Sequence, residues 1–318
     1  MSDAQLRAAL LRTLTWYETL GYAPTHVELA QTLGIGLLPP GASLALSSPL
    51  VASALSDLFA SGTLIQKNAR VYFADTVDQL APELASRDLF QPRKRRRAWW
   101  VTRWLACVPG VRFVALANTT ALGYARDEGD LDFFVVVRAG SLWITRLLAG
   151  LPFRLLRLTP RDGYERDAIC LSYFVADDVL DLTSHQLTPD DPYFRYWFLS
   201  LLPLYDDGVS LDLWKANTKV LAQHPFARPW IAPPDLRVTS FRDRHAWWQN
   251  VSMTLTRPFE PLARSIQSRW FPHQMKERMN RDTTVMISDH VLKFHVTDTR
   301  AEYREKYLAA CKRRNIDV

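Results

Sequence analysis

The chain has little cysteine. Cys107, Cys170 and Cys311 are the three in 318 residues, and they lie far apart with no C-x-x-C spacing. That excludes a zinc-cluster or disulfide framework and fits a reducing cytoplasm. Long apolar runs are also missing. The best candidate, Gly140 to Leu158, is broken by Arg146 and Arg154 and does not suit a bilayer span. The N-terminus, MSDAQLRAALLR, carries charge throughout and has none of the apolar centre that a signal peptide needs. No internal repeat is present. These absences lead to the expectation of a soluble, cytoplasmic protein. What is there, 48% hydrophobic and 23% charged residues, suffices for a globular chain with two or three small cores.

The formal net charge of +6 is unevenly placed. Residues 1–75 hold four basic groups (Arg7, Arg12, Lys67, Arg70) against five acidic ones. The excess sits in the run Arg93-Lys94-Arg95-Arg96-Arg97 and after Leu236. Such runs suit a polyanionic partner such as a nucleotide, RNA or DNA, or else form a solvated linker and helix face. Trp99, Trp100 and Trp104 follow the first run. They fit either helix packing or stacking on bases.

Periodicity divides the chain into four parts. Residues 2–20 show helical spacing, with Leu6, Leu10, Leu14 and Tyr17 on one stripe. Thr25 to Glu28 has the form of a capping box opening a helix that stops at Gly34. A loop from Gly34 to Ser47 leads to a third helix at about 49–60, and TLIQKNARVYFA reads as a hairpin around Asn68. Residues 1–75 thus predict a winged helix-turn-helix. Its third helix has no Lys or Arg and one Asp, which favours protein contacts or packing over DNA, whose binding rests on phosphate neutralisation. Residues 76–104 predict a basic helical connector. From 105 to 182 the order is strand, turn, strand, helix, strand, which implies an α/β core with a small mixed sheet within an α+β chain. Residues 183–318 read as a helical, basic region: PYFRYWFLSLLPLY, LDLWKANTKVLAQH, and an amphipathic stretch from about Arg242 to Arg281 with Trp247, Trp248 and Trp270. They close with a strand-like VMISDHVLKFHV and a final helix.

The residues that point to chemistry are Asp130 and Asp132, at the head of DLDFFVVVR. On a strand, residues i and i+2 share a face, so both carboxylates project together. Two such anions need a cation, and hard oxygen donors suit Mg²⁺. Around them, a strand (VRFVALA) ends in Asn118-Thr119 about ten residues earlier, and the strand AICLSYFVA follows later. His295 reads as structural or hydrogen-bonded, and Asn217 as a residue that caps or bonds backbone. Arg300 is a further candidate for reaching the same face.

This arrangement resembles the nucleotidyltransferase superfamily of the DNA polymerase β-like kind, whose signature is Gly-Ser, a spacer, then D-h-D. The string TTALGYARDEGDLDFFVVVRAGSLWITR, with the later ICLSYFV and LKFHVTDTR, is similar to a bacterial branch carrying an N-terminal winged helix. The resemblance implies one or two Mg²⁺ ions on Asp130 and Asp132, and phosphate contacts from Asn118 and Thr119. For Arg146, in LWITR, it implies a role toward phosphate, with a surface salt bridge the equal alternative. The implied reaction moves a nucleoside monophosphate from an NTP to a hydroxyl on a protein, an RNA or a small molecule. The sequence departs from the family pattern at three places. Asn118-Thr119 replaces Gly-Ser, and Gly129 replaces a Ser before the acids. The strand that brings the family's third carboxylate has none here: Ser172 stands near its place, with Asp167 and Asp177 at the strand's two ends. A nucleotide-binding or protein-interaction module without transfer is the alternative implied, and a winged-helix DNA regulator a second.

Overall fold

The computed structural model describes residues 3–34, 48–161, 163–188, 190–239 and 251–317. The predicted loop at 35–47 and the pair Trp247 and Trp248 lie outside them.

Three helices and a hairpin open the chain: α1 (Asp3–Thr19), α2 (His26–Gln31), α3 (Ser48–Ala60), β1 (Leu64–Lys67) and β2 (Arg70–Phe73). The capping box forms. Glu28 N donates to Thr25 Oγ1 at 3.2 Å, and Thr25 N to Glu28 Oε2 at 2.7 Å, which satisfies two of the free amides at the start of α2. Leu6, Leu10 and Leu14 of α1 pack on Leu29, Leu55, Leu58 and Leu64 in one small core. α1 also turns a second face outward to the rest of the chain. Trp16 stacks on Tyr196 at 5.2 Å between ring centroids and meets Tyr307 edge-on at 5.6 Å. Arg314 reaches back to pair with Glu18 and Asp75.

α4 (Val77–Asp88) and α5 (Gln91–Cys107) lead into a six-stranded mixed sheet of order β6-β3-β4-β5-β8-β7. Its strands are β3 (Val111–Leu116), β4 (Leu131–Val137), β5 (Ile169–Ala176), β6 (Leu202–Asp206), β7 (Val285–Ile287) and β8 (Val291–Phe294). β4 and β5 run parallel, joined through the crossover helix α7 (Leu142–Leu155), and the other pairs are antiparallel. Between β3 and β4 lies the one-turn α6 (Asn118–Ala121).

Alternation along β4 divides the interior in two. Leu131, Phe133, Val135 and Val137 enter the core under α5 and α7. Phe134 and Val136 enter the core under α8 (Pro192–Leu199) and α9 (Ser210–Ala216), with Phe194, Trp197, Phe198 and Trp214. Helices thus cover both faces of the sheet. The β4–β5 register slips between Asp132 opposite Cys170 and Phe134 opposite Tyr173, so β5 carries one extra residue, a bulge. Leu171 therefore faces the α7 core while Tyr173 faces the α8 core.

The helical reading of PYFRYWFLSLLPLY holds only for its first half. The second half is β6, paired with β3. Pro203 lacks an N–H and fits because β6 is the edge strand, where one side needs no partner. The strand-like 285–296 segment is a hairpin, β7–β8, whose β8 extends the sheet from β5. The sheet thus crosses the boundary expected at residue 182. In the predicted helix 211–224, the chain breaks at Asn217 between α9 and α10 (Thr218–Leu221). The fully buried Asn217 side chain accepts from Leu182 N and donates to Leu180 O and Leu213 O.

Of the basic amphipathic stretch, residues 251–256 are helical, followed by α11 (Glu260–Trp270) and α12 (His273–Arg278). α11 docks on α7 through polar groups. Glu260 accepts from Trp143 N and Ile144 N, both at 2.8 Å, and so caps a helix distant in sequence. Gln267 Nε2 donates to Trp143 O. The last helix, α13 (Arg300–Arg313), packs along α1. Among the described residues no helix is long and apolar enough to cross a membrane.

Candidate functional site

Asp130 and Asp132 have the parity of Phe134, so their carboxylates face the α8 side. They line a pocket of about 470 Å³ with Asn118, Cys170, Ser172, Tyr193, Lys293, His295 and Arg300. One donor atom each from Asp130, Asp132 and Cys170 lie within 4.8 Å of one another. Burial and the charge of Asp132 push Asp130 up to about 7. Burial also raises Asp132, while hydrogen bonds from Asn118 and Cys170 pull it back. An anion pair in a half-closed pocket accounts for both shifts.

Asn118 opens α6, two residues past β3, in the left-handed region at φ +54°, which Asn adopts more readily than most side chains. The turn aims its amide at the acids. Nδ2 donates to Asp132 Oδ2 at 2.8 Å, and Oδ1 accepts from Tyr193 Oη at 3.1 Å. Thr119 is exposed and stands outside the pocket wall; its carbonyl accepts from Tyr124 N. Arg146 is on α7, across the sheet from the acids, and lines a neighbouring cavity. The structure therefore brings Asn118, Asp130 and Asp132 together and places Thr119 and Arg146 apart from them.

At the strand that carries no acid, the group nearest the pair is Cys170, opposite Asp132 in the parallel register. Burial, then the two aspartates, push its thiol well above the usual range. Cys170 Sγ contacts Ser172 Oγ at 3.3 Å, and Ser172 Oγ lies 3.2 Å from His295 Nε2. Burial pushes His295 down to about 3, so it is neutral at pH 7, a hydrogen-bonded wall residue. The other two acids are tied elsewhere. Asp177 takes Arg112 and Ala139 N, and Asp167 takes Arg93 and Lys94. Burial would raise Asp167, but these two cations hold it below the carboxylate range.

Two of the five cations in the basic run thus serve the inside of the protein. Lys94 is fully buried in α5, and its ammonium donates to Gly129 O at 2.5 Å and Asp167 Oδ1 at 2.9 Å. Arg93 pairs with Asp127. Together they hold Asp127 and Gly129, immediately before Asp130, a role hidden in a sequence where five cations look alike. Lys293 was also invisible as a site residue. It is buried on β8 at the pocket wall, and burial, then Arg300, push its ammonium down to about 7. Arg300 reaches the same wall, but its donors are held by Asp298, Asp191, His185 O and Thr283.

Two adjacent carboxylates facing a polar pocket fit a hard divalent cation such as Mg²⁺. Cys170 adds a softer donor, which suits Zn²⁺ better. No protein-family model, curated protein or solved structure matches the chain.

Proposed function

We propose that the protein is a nucleotidyltransferase of the DNA polymerase β-like kind, with a winged-helix unit at residues 1–75, acting on an NTP and a hydroxyl acceptor. The observation that carries this reading is Asp130 and Asp132 on one face of β4, in a pocket whose near edge is the Asn118 turn after β3. A divalent cation held by the pair would neutralise it and the phosphates of the nucleotide. The chain's own groups do the rest. Asn118 orients Asp132. Lys293 is the cation on the far wall that suits phosphate oxygens, while Arg300 is held by Asp298 and Asp191, and Tyr193 fixes the Asn118 amide. In phosphoryl transfer such positioning and neutralisation supply nearly all of the catalysis.

The test is incubation with labelled NTPs and Mg²⁺ or Mn²⁺, scoring label on the protein itself, on RNA and on cell extract. Transfer that persists in Asp130→Ala with Asp132→Ala refutes the assignment. A second reading, nucleotide binding without transfer, is favoured by Cys170 and Ser172 standing where a third acid belongs. Calorimetry that shows NTP binding with no turnover selects it.

The exposed side of α3 presents Ala52, Ser53, Ser56 and Asp57 and no cation. This supports protein contact rather than DNA contact for the N-terminal unit.

A further inference from the structure

The cavity across the sheet from the acid pair, about 400 Å³, lies between α7, α11 and the paired strands β5 and β8. Its walls are largely apolar, including Trp270, Met275 and Phe294, yet it holds two guanidinium groups, Arg146 and Arg154. Arg146 stacks on Phe294 at 4.4 Å and Arg154 on Trp270 at 5.2 Å. No carboxylate pairs with either among the described residues. Arg146 NH1 donates to Gln267 Oε1 at 2.6 Å, and its buried Nε has no hydrogen-bond partner. Gln267 is itself fixed by donating to Trp143 O and Ala263 O, so a neutral amide holds the cation in place without cancelling its charge. Burial, then Arg154, push Arg146 down to about 10, as a cation with no counter-ion requires.

A sequestered guanidinium without a carboxylate is unfavourable for folding alone. Arg146 is such a group; with the exposed Arg154 beside it on the same cavity, each laid on an aromatic ring, it makes a receptor for an anion. The planar fork matches a phosphate or a carboxylate, and the rings and Met275 match an apolar body. The volume falls in the range of small-molecule sites.

We propose that this cavity binds a small anion with an apolar body, its phosphate or carboxylate head on Arg146 and Arg154 and its body against Trp270, Met275 and Phe294. The site is separate from the acid-pair pocket, although the two share Pro160, Cys170, Ser172 and Phe294 as a common wall. The proposal stands whether or not the acid pair transfers nucleotides.

The experiment is calorimetry on the full chain, without nucleotide or metal, using phenyl phosphate, 3-phenylpropionate, inorganic phosphate and benzyl alcohol as probes. At least one of the two amphiphilic anions should bind with Kd near or below about 1 mM and outcompete benzyl alcohol and inorganic phosphate by about tenfold or more. The preferred head group identifies the source. Arg146→Gln should weaken binding about tenfold while raising Tm, since it removes an unpaired charge, whereas a structural arginine would lower Tm. Arg154→Ala, at an exposed position, carries the test if Arg146→Gln does not fold. Three results overturn the proposal: neither anion binding at about 10 mM, benzyl alcohol binding as well as the anions, or binding that survives substitution at both arginines.

Discussion

Asp130→Asn in the metal-free protein should stabilise it, and by an amount that grows with pH. Asp130 is raised from 3.8 to about 7 in the folded chain. Below 3.8 it is protonated in both states and contributes nothing. Between the two values the unfolded chain releases the proton while the folded chain keeps it, so stability falls as pH rises, and the full cost stands above 7. One unit is 1.36 kcal/mol, so the penalty is about 1.7 kcal/mol at pH 5 and about 4 kcal/mol at pH 8, both upper figures because the site is partly open to water. The asparagine cannot ionise, so its advantage should widen by up to about 2.5 kcal/mol between these pH values. For a chain of this size that corresponds to a Tm gap growing by roughly 5 °C. The assay is thermal unfolding of both proteins in EDTA at pH 5 and pH 8. Taking the difference between them cancels the histidines His185, His224 and His295, which also titrate with folding. Added Mg²⁺ or Mn²⁺ should stabilise the wild type at pH 8 and leave the variant nearly unmoved. A gap that stays constant or narrows with pH refutes the account of two anions pressed together without a cation.

Cys170→Ser should weaken binding of thiophilic ions such as Cd²⁺ or Zn²⁺ by about tenfold and change Mg²⁺ binding little, which titration calorimetry reads; equal losses would place the thiol outside the donor set. Cys170→Asp supplies a third carboxylate, and Mg²⁺-dependent label transfer should rise if its absence limits the reaction. Lys94→Met leaves Asp167 and the Gly129 carbonyl without their buried donor and should cost about 3–5 kcal/mol in denaturant unfolding; a loss under about 1 kcal/mol would mean the loop before Asp130 is held by other contacts. The N-terminal unit should show no sequence-specific DNA retention in mobility shift at physiological salt, and a nanomolar complex would reverse the reading of α3.

The parts of this fold legible in the sequence were those set by local pattern. Alternation in β4 placed Asp130 and Asp132 on one face, and the Thr25–Glu28 box marked the start of α2. What escaped depends on contacts between distant residues. PLY of β6 looked helical beside an aromatic helix, because only its place at the sheet edge makes Pro203 tolerable. Cys170 entered the site through parallel pairing with Asp132 and a bulge, neither of which has a local signature. Lys94 was one cation of five until α5 turned it inward onto Gly129 and Asp167. Arg146 lay at helical spacing on α7, but which sheet face it served depended on the crossover.

The stacking of Trp16 with Tyr196 and Tyr307 bears on how the chain is made. Trp16 emerges from the ribosome before Tyr196 and long before Tyr307. At ordinary rates of synthesis α1 waits about 15 to 60 s for its final aromatic neighbours. During that interval the opening helices rely on their own leucine cluster and leave an uncovered indole beside Tyr17 and Tyr22. A chain lacking α13 would leave that aromatic face open, so closure of this face waits on α13.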